Sequence, residues 1–169
     1  DWSSDVCSSD LPPAGVFTTY SDLGSFIGPV VPLPDQPHAL FVGVLERYKN
    51  VEVLTDAWRI VAARRPEARL RLVGMGTQVH VAERLARTGV RWERRLEPAA
   101  LAAALDASRA LLLPSASEGL PRVVIEAFLR GRAVVGARAG GIPDIIQHDR
   151  NGLLVEAGDR KSTRLNSSH

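Results

Sequence analysis

The stretch Ser115–Gly131, SASEGLPRVVIEAFLRG, is the most informative part of this chain. The apolar run Ala110–Leu113 precedes it and is closed by Pro114, which is typical of a buried strand that ends at a polar loop. After the loop, apolar residues recur at helical spacing, at Val123, Val124, Ala127 and Phe128. We therefore predict a helix that begins near Leu120 and packs one face inward.

Two glutamates bracket this loop and the start of the helix. Glu118 lies beyond the carboxyl end of the strand, and we place Glu126 about two turns into the helix. In open parallel sheets, ligands bind in the crevice outside the strand ends, and the free N–H groups of a helix start attract anions. We therefore expect both glutamates to face a crevice that holds phosphate.

Outward from this stretch, the chain alternates strands and helices. The other predicted strands are Ala39–Val44, Arg69–Gly74, Val90–Trp92, Ala133–Gly136 and Gly152–Val155. The predicted helices begin after Asn50 as N-cap, near Thr77, at Pro98 and at Ile142, and the inward face of the first contains Val51, Leu54, Trp58 and Val61. Alternation with short loops predicts an α/β fold, a Rossmann-like parallel sheet with helices on both faces.

The series S-E-G, a second Glu, G-R-A-V-V, G-G-I-P and N-G-L-L-V resembles the E-x7-E signature of retaining glycosyltransferases of the GT-B fold, family 4 of the glycosyl transferases group 1. The resemblance implies a truncated C-terminal half of a GT-B fold. Residues 39–158 would be its nucleotide-sugar-binding domain, and the proline-rich residues 12–38 an interdomain linker remnant. It also implies hexosyl transfer from a nucleotide-diphosphate sugar with retention, without a metal or other cofactor.

The resemblance also assigns roles to individual residues. It implies catalytic roles for Glu118, which would contact donor hydroxyls, and for Lys49, which would clamp the diphosphate. Glu126 would bind the nucleotide ribose, because a carboxylate accepts two hydroxyl donors. The other positions implied in donor or nucleotide binding are Gly119, Leu120, Arg122, Gly43, Arg47, Gly74 and Arg94.

Two positions depart from the family pattern. The family has G-R-L-x-x-x-K-G after the first strand, whereas this chain reads GVLERYKN, with Val44 in place of the arginine. An aliphatic chain cannot replace bidentate phosphate contacts, and we hypothesise that Arg47 substitutes for them. Pro121 removes one N–H from the predicted phosphate site.

Two alternative functions stay open. The chain could belong to a non-transferring relative with the same crevice, such as a nucleotide-sugar epimerase or a phosphorylase. It could also be a nucleotide-binding module whose site has decayed, for which Val44 and Pro121 are the argument.

Composition narrows the partners. Hydrophobic residues make up 45% of the 169 residues, charged residues 24%, and the net charge is +2. These values fit a globular domain. A net charge this small gives no reason to expect the basic stripe that nucleic-acid binding requires. We expect a nucleotide sugar and the missing N-terminal acceptor domain as partners, and a cytoplasmic location, with peripheral membrane association through that missing domain left open.

Both ends have an unusual composition. DWSSDVCSSDL can be encoded by a string whose reverse complement encodes RKSTRLNSS, found at the other end. We therefore interpret residues 1–11 and 159–169 as translated sequencing adaptor and not as part of the native fold. The only cysteine, Cys7, falls in the first tail. As a fragment, the chain is expected to bind nucleotide diphosphate weakly and to transfer nothing.

Overall fold

The structure, a computed structural model, describes residues 23–156. Its strands are β1 (His38–Val42), β2 (Arg69–Val73), β3 (Arg91–Glu93), β4 (Ala110–Leu113), β5 (Ala133–Ala137) and β6 (Gly152–Val155). Its α-helices are α1 (Val51–Arg64), α2 (Val79–Ala86), α3 (Pro98–Asp106), α4 (Arg122–Leu129) and α5 (Ile142–Ile145), and 3₁₀ turns occupy Gly24–Phe26 and Arg47–Lys49. The predicted tails 1–11 and 159–169 lie outside the described residues.

The six strands form one parallel sheet in the order β3-β2-β1-β4-β5-β6. β1 lies inside the sheet, between β2 and β4. Its consecutive residues Leu40 and Phe41 point to opposite faces and are both fully buried, because both faces of a central strand are covered. The chain runs outward from β1 in both directions, so the strand order reverses between β1 and β4. This topological switch point opens a crevice at the carboxyl ends of these two strands.

Each face of the sheet carries its own apolar core. On one face, Leu40, Leu111 and Val134 pack with residues of α3, α4 and α5. On the other face, Phe41 and Leu72 pack with residues of α1 and α2. The predicted fold class, a Rossmann-like parallel sheet with helices on both faces, is confirmed.

The inward face of α1 is shorter than predicted. Val51, Leu54 and Trp58 are buried, but Val61 is 38% exposed, so its predicted place in the core was wrong. Val61 instead lines an apolar groove of about 580 Å³, which also includes Leu112 of β4 and further residues of β1, β5 and β6. The second half of α1 overhangs this groove, where the described residues place no other helix on the sheet face.

The motif helix starts later than predicted. α4 begins at Arg122, because Pro121 precedes it in an extended conformation with ψ 103° and serves as its N-cap. Gly119 and Leu120 therefore remain in the loop after β4. Glu126 is the fifth residue of α4, so it lies just over one turn into the helix and not two turns.

Residues 24–37, which we call the strap, pack on this domain. Phe26 is 1% exposed and belongs to the core beside α3 and α4. The buried Arg132 guanidinium donates through Nη2 to the strap carbonyls of Val31, at 2.9 Å, and Pro32, at 3.4 Å. The assignment of residues 12–38 as an interdomain linker stays a prediction, and residues 12–22 lie outside the described part.

Candidate functional site

The candidate site is an ion pair at the switch point. Lys49 ends the turn after β1 and Glu118 lies in the loop after β4, and Lys49 Nζ is 2.5 Å from Glu118 Oε1. The two side chains are only 11% and 10% exposed. The fold thus joins the two predicted catalytic residues across 69 positions of sequence.

The loop that carries Lys49 is held against the loop after β2, residues 74–78, which contains Gly74 and Gly76. The main-chain N–H of Leu45 donates to Met75 O, and Gln78 N–H donates to Leu45 O, both at 2.8 Å. The Glu46 carboxylate accepts from Thr77 twice, from its N–H at 2.9 Å and from its hydroxyl at 2.6 Å. These hydrogen bonds hold the pKa of Glu46 below its usual value of 4.5.

The same loop is tied to the loop that carries Glu118. Ala116 N–H donates to Tyr48 O at 2.7 Å. On the other side of Lys49, Asn50 Nδ2 donates to Pro114 O at 2.9 Å. The two neighbours of Lys49 are therefore both hydrogen-bonded to the segment that leads into Glu118.

A pair of glycines after β5, Gly140 and Gly141, packs against the main chain of Glu118. Gly141 N–H donates to Glu118 O at 2.8 Å. Gly140 has a φ of +52°, and a Cβ built on it would lie 2.2 Å from Glu118 O. The glycine pair of the segment Ala139–Asp144, AGGIPD, thus allows a close approach to the Glu118 loop.

The second glutamate of the motif has a different partner. Glu126 is 4% exposed, and its Oε1 accepts from Arg122 Nε at 3.0 Å, one turn earlier on α4. The Arg122 side chain is 55% exposed. Glu126 therefore lies at the same end of α4 as the Glu118 loop, paired with Arg122 and not with Lys49.

The other predicted positions lie along the carboxyl edge of the sheet. A Cβ on Gly119 would meet open space, and Leu120 is 63% exposed. Gly43 and Gly74 are packed together, because a Cβ on Gly74 would lie 1.9 Å from Gly43 O. The remaining two, Arg47 and Arg94, are exposed. Their roles in donor binding stay predictions.

Asn50 and Tyr48 were missed as site residues. We predicted Asn50 only as a helix cap; it does occupy the N-cap of α1, but its side chain makes no capping hydrogen bond and instead donates to Pro114 O. Tyr48 is 43% exposed, and its ring centroid lies 5.3 Å from Lys49 Nζ. The signal in the sequence was that Asn50 stands where the family pattern has glycine.

The described residues, 23–156, contain neither a cluster of metal ligands nor a helix that could span a membrane. No group of three or more His, Cys, Asp or Glu side chains is placed there to hold a metal ion. In the same range, every helix is too short or too polar to cross a bilayer.

Known proteins place these features in one family. The profile described as Glycosyl transferases group 1 matches residues 36–164, a range that includes part of the predicted adaptor tail, whose origin stays a prediction. The sulfoquinovosyl transferase SQD2 of Arabidopsis thaliana is 37% identical over 131 residues, which cover 75% of this chain and 25% of SQD2. The chain spans about a quarter to a third of the curated relatives it matches.

Solved structures agree with this match. The crystal structure of Anabaena HepE in complex with UDP-glucose is 27% identical, with a TM-score of 0.64 over 76% of this chain and 37% of HepE. The C-terminal domain of LpcC, a glycosyl transferase group 1 protein of Francisella tularensis, shares the fold with a TM-score of 0.64 at 20% identity, over 75% of this chain and 70% of that domain. The chain therefore belongs to the glycosyl transferases group 1 family, and its sheet is a Rossmann-like domain of the GT-B type.

Proposed function

We propose that this chain is the donor-binding half of a retaining glycosyltransferase. It would bind a nucleotide-diphosphate sugar across the carboxyl ends of β1 and β4 and support transfer of a hexosyl group to an acceptor. The observation that carries the proposal is the nearly buried Lys49–Glu118 pair at the topological switch point. A cation and a carboxylate side by side, both with little exposure, can serve a ligand that carries both phosphate and hydroxyl groups.

In this proposal, each charged side chain has one task. Lys49 stabilises the negative charge that grows on the leaving diphosphate, which is electrostatic catalysis in a site with little water. Glu118, released from Lys49 by the phosphate, accepts hydrogen bonds from hydroxyls of the donor sugar. Glu126 accepts from the two ribose hydroxyls, and the proposal requires no metal ion.

The transfer step forms one bond and breaks one bond. The bond between the anomeric carbon and the diphosphate oxygen breaks, and the acceptor oxygen bonds to the same carbon from the same face. The acceptor hydroxyl proton passes to the leaving diphosphate, so charge and atoms balance. The anomeric configuration is retained because attack and departure share one face.

The relatives support the choice of ligand. HepE has been crystallised with UDP-glucose, and SQD2 is named as a sulfoquinovosyl transferase. The match to a structure described as a C-terminal domain supports the view that an N-terminal acceptor domain accompanies this one in the full-length protein. We propose a cytoplasmic location for that protein, with any membrane contact made through the acceptor domain.

Titration of the chain with UDP, UMP and uridine tests the proposal. Lys49→Met should weaken UDP binding by about tenfold or more and change uridine binding little, because a charged hydrogen bond to phosphate is lost. Glu126→Gln should weaken all three ligands, since each carries the ribose. Arg59→Gln, which alters an exposed arginine on α1 paired with Asp56, is the matched control.

The outcomes separate the candidate functions. Equal weak binding by wild type, Lys49→Met and Glu126→Gln would favour a decayed module and overturn the donor-site proposal. Conversion of a nucleotide sugar to its epimer, or phosphorolysis of a glycan, by the full-length protein would favour the non-transferring alternative. Sugar transfer by the isolated chain would contradict the expectation that catalysis needs the acceptor domain.

A further inference from the structure

We infer that Asn50 is a positioning residue, which holds Lys49 in line with Glu118 for contact with the diphosphate of the ligand. The inference rests on the proposed function. Asn50 follows Lys49 directly and adopts a left-handed conformation, with φ +51° and ψ +40°. Within residues 23–156, the non-glycine residues with positive φ are Asn50 and Asp149.

The geometry is that of a two-point clamp around Lys49. Tyr48 O accepts from Ala116 N–H at 2.7 Å, and Asn50 Nδ2 donates to Pro114 O at 2.9 Å. Both partners belong to the segment between β4 and Glu118. The backbone of Lys49 is therefore fixed to this segment on both sides, which holds its side chain at the switch point, within reach of Glu118 and of a diphosphate bound in place of that carboxylate.

The presence of asparagine at this position indicates that its side-chain amide contributes a specific hydrogen bond. Glycine adopts the left-handed conformation at the lowest cost, and asparagine is among the few other residues that tolerate it. The Asn50 side chain does not cap α1, so helix capping does not account for it. What the amide adds over glycine is the hydrogen bond to Pro114 O across the two loops.

The clamp predicts an effect that depends on phosphate. If Asn50 acts through Lys49, its loss should weaken ligands that carry a diphosphate and leave a bare nucleoside unaffected. A general loosening of the fold would weaken both. UDP and uridine therefore distinguish positioning of Lys49 from a merely structural role.

The experiment compares Asn50→Gly with wild type by calorimetric titration with UDP and with uridine. Asn50→Gly keeps the left-handed backbone free of strain and removes only the side-chain clamp. The matched control is Asp149→Gly, because Asp149 also has a positive φ, of +63°. Asp149 precedes β6 and so lies near the amino ends of the parallel strands, whereas Asn50 follows β1 at their carboxyl ends. A Lys49→Met background completes a double-mutant cycle.

We expect Asn50→Gly to weaken UDP binding about threefold to tenfold, the range for one lost hydrogen bond, with uridine binding unchanged. Asp149→Gly should change neither, and Asn50→Gly should have no further effect in the Lys49→Met background. Unchanged UDP binding, equal losses for UDP and uridine, or full additivity with Lys49→Met would overturn the inference while leaving the donor site intact. Absence of UDP binding by wild type would instead overturn the proposed function, and the inference with it.

Discussion

Lys49 and Glu118 neutralise each other in a nearly buried site, and this arrangement has an energetic consequence. Desolvation of two charges is costly, and it is offset only while each has its partner. Removal of one partner leaves the other buried and unpaired. In the proposed donor site, a phosphate group would take the place of the carboxylate against Lys49, and we therefore expect the ligand and Glu118 to compete for one cation.

Glu118→Gln should therefore lower the free energy of unfolding by about 3 kcal/mol, the scale of a broken buried pair. UDP should bind this variant more tightly than wild type, because it no longer displaces a carboxylate, and should recover much of the lost stability. Urea unfolding with and without UDP measures both effects. Weaker UDP binding by Glu118→Gln would contradict the competition between Glu118 and phosphate.

Gly140 allows a second prediction at the residue scale. Alanine there would meet two costs, a positive φ and a Cβ 2.2 Å from Glu118 O. Gly89 has a φ of +88°, with nothing within 4 Å of a Cβ built on it, so Gly89→Ala carries the backbone cost alone. We expect Gly140→Ala to lose at least about 1 kcal/mol more stability than Gly89→Ala and to weaken UDP binding, since the Glu118 loop must move. Thermal unfolding and UDP titration of the two variants provide the comparison. Equal losses of stability and equal UDP affinities would show that the Glu118 loop moves away from the added Cβ at little cost.

At the scale of elements, Arg132 joins the end of α3 to the strap. Its Nε donates to Leu105 O and its Nη2 to Asp106 O, both at 3.0 Å, so it satisfies carbonyls at the carboxyl end of α3. The same Nη2 reaches Val31 O in the strap. Arg132 is 2% exposed, so its guanidinium has these carbonyls as partners in place of water.

Arg132→Met keeps most of the side-chain volume and removes every donor. We expect a loss of about 2 to 4 kcal/mol in unfolding free energy, since one buried hydrogen bond, to Leu105 O, and the partly buried bonds to Asp106 O and Val31 O are removed together. Protease cleavage within residues 24–37 should also accelerate, because the strap loses its attachment. Arg64→Met, at the exposed end of α1, is the control. Unchanged cleavage with reduced stability would limit the role of Arg132 to α3.

The elements show what the sequence could and could not predict. The bounds of β4 and β6 agree with the predicted ones, because each is a short apolar run closed by turn residues. The start of α4 moved to Arg122, since proline restrains the residues before it more than the apolar spacing indicates. Val61 was assigned to the core by periodicity alone, and periodicity cannot show whether a sheet strand lies opposite that turn of the helix.

At the scale of the whole molecule, alternation of strands and helices predicted the fold class but not which loops meet. The order β3-β2-β1-β4-β5-β6 depends on pairings between distant strands, such as Leu40 with Leu111. Only the resemblance to a family suggested that Lys49 and Glu118 converge. The clamp by Asn50 was not predicted, because a side chain that bonds a distant carbonyl leaves no periodic pattern.

Two carboxylates outside the core link separate parts of the molecule, and their lowered pKa predicts a response to acid. Glu46 joins the loop after β1 to Thr77, and its pKa is lowered by the two hydrogen bonds from Thr77. Glu93 joins β3 to β2 through Arg71, whose hydrogen bond lowers the pKa of Glu93 below 4.5, with Arg91 contributing. A carboxylate with a lowered pKa in the folded state contributes stability above its unfolded pKa, and the contribution is lost as pH falls through the folded pKa.

We therefore expect the free energy of unfolding to hold nearly constant from neutral pH down to the unfolded pKa of these groups, and to decrease below about pH 4.5. In the double variant Glu46→Gln/Glu93→Gln, that decrease should be smaller, because neither group can take up a proton. Glu83→Gln, which alters an exposed glutamate of α2, is the control and should keep the wild-type profile. Urea midpoints measured between about pH 6 and about pH 3 provide the test. If the double variant loses stability in acid as steeply as wild type, other carboxylates govern the response. The number of protons taken up on unfolding would then be unchanged by the loss of Glu46 and Glu93, which means that these two groups contribute little to it.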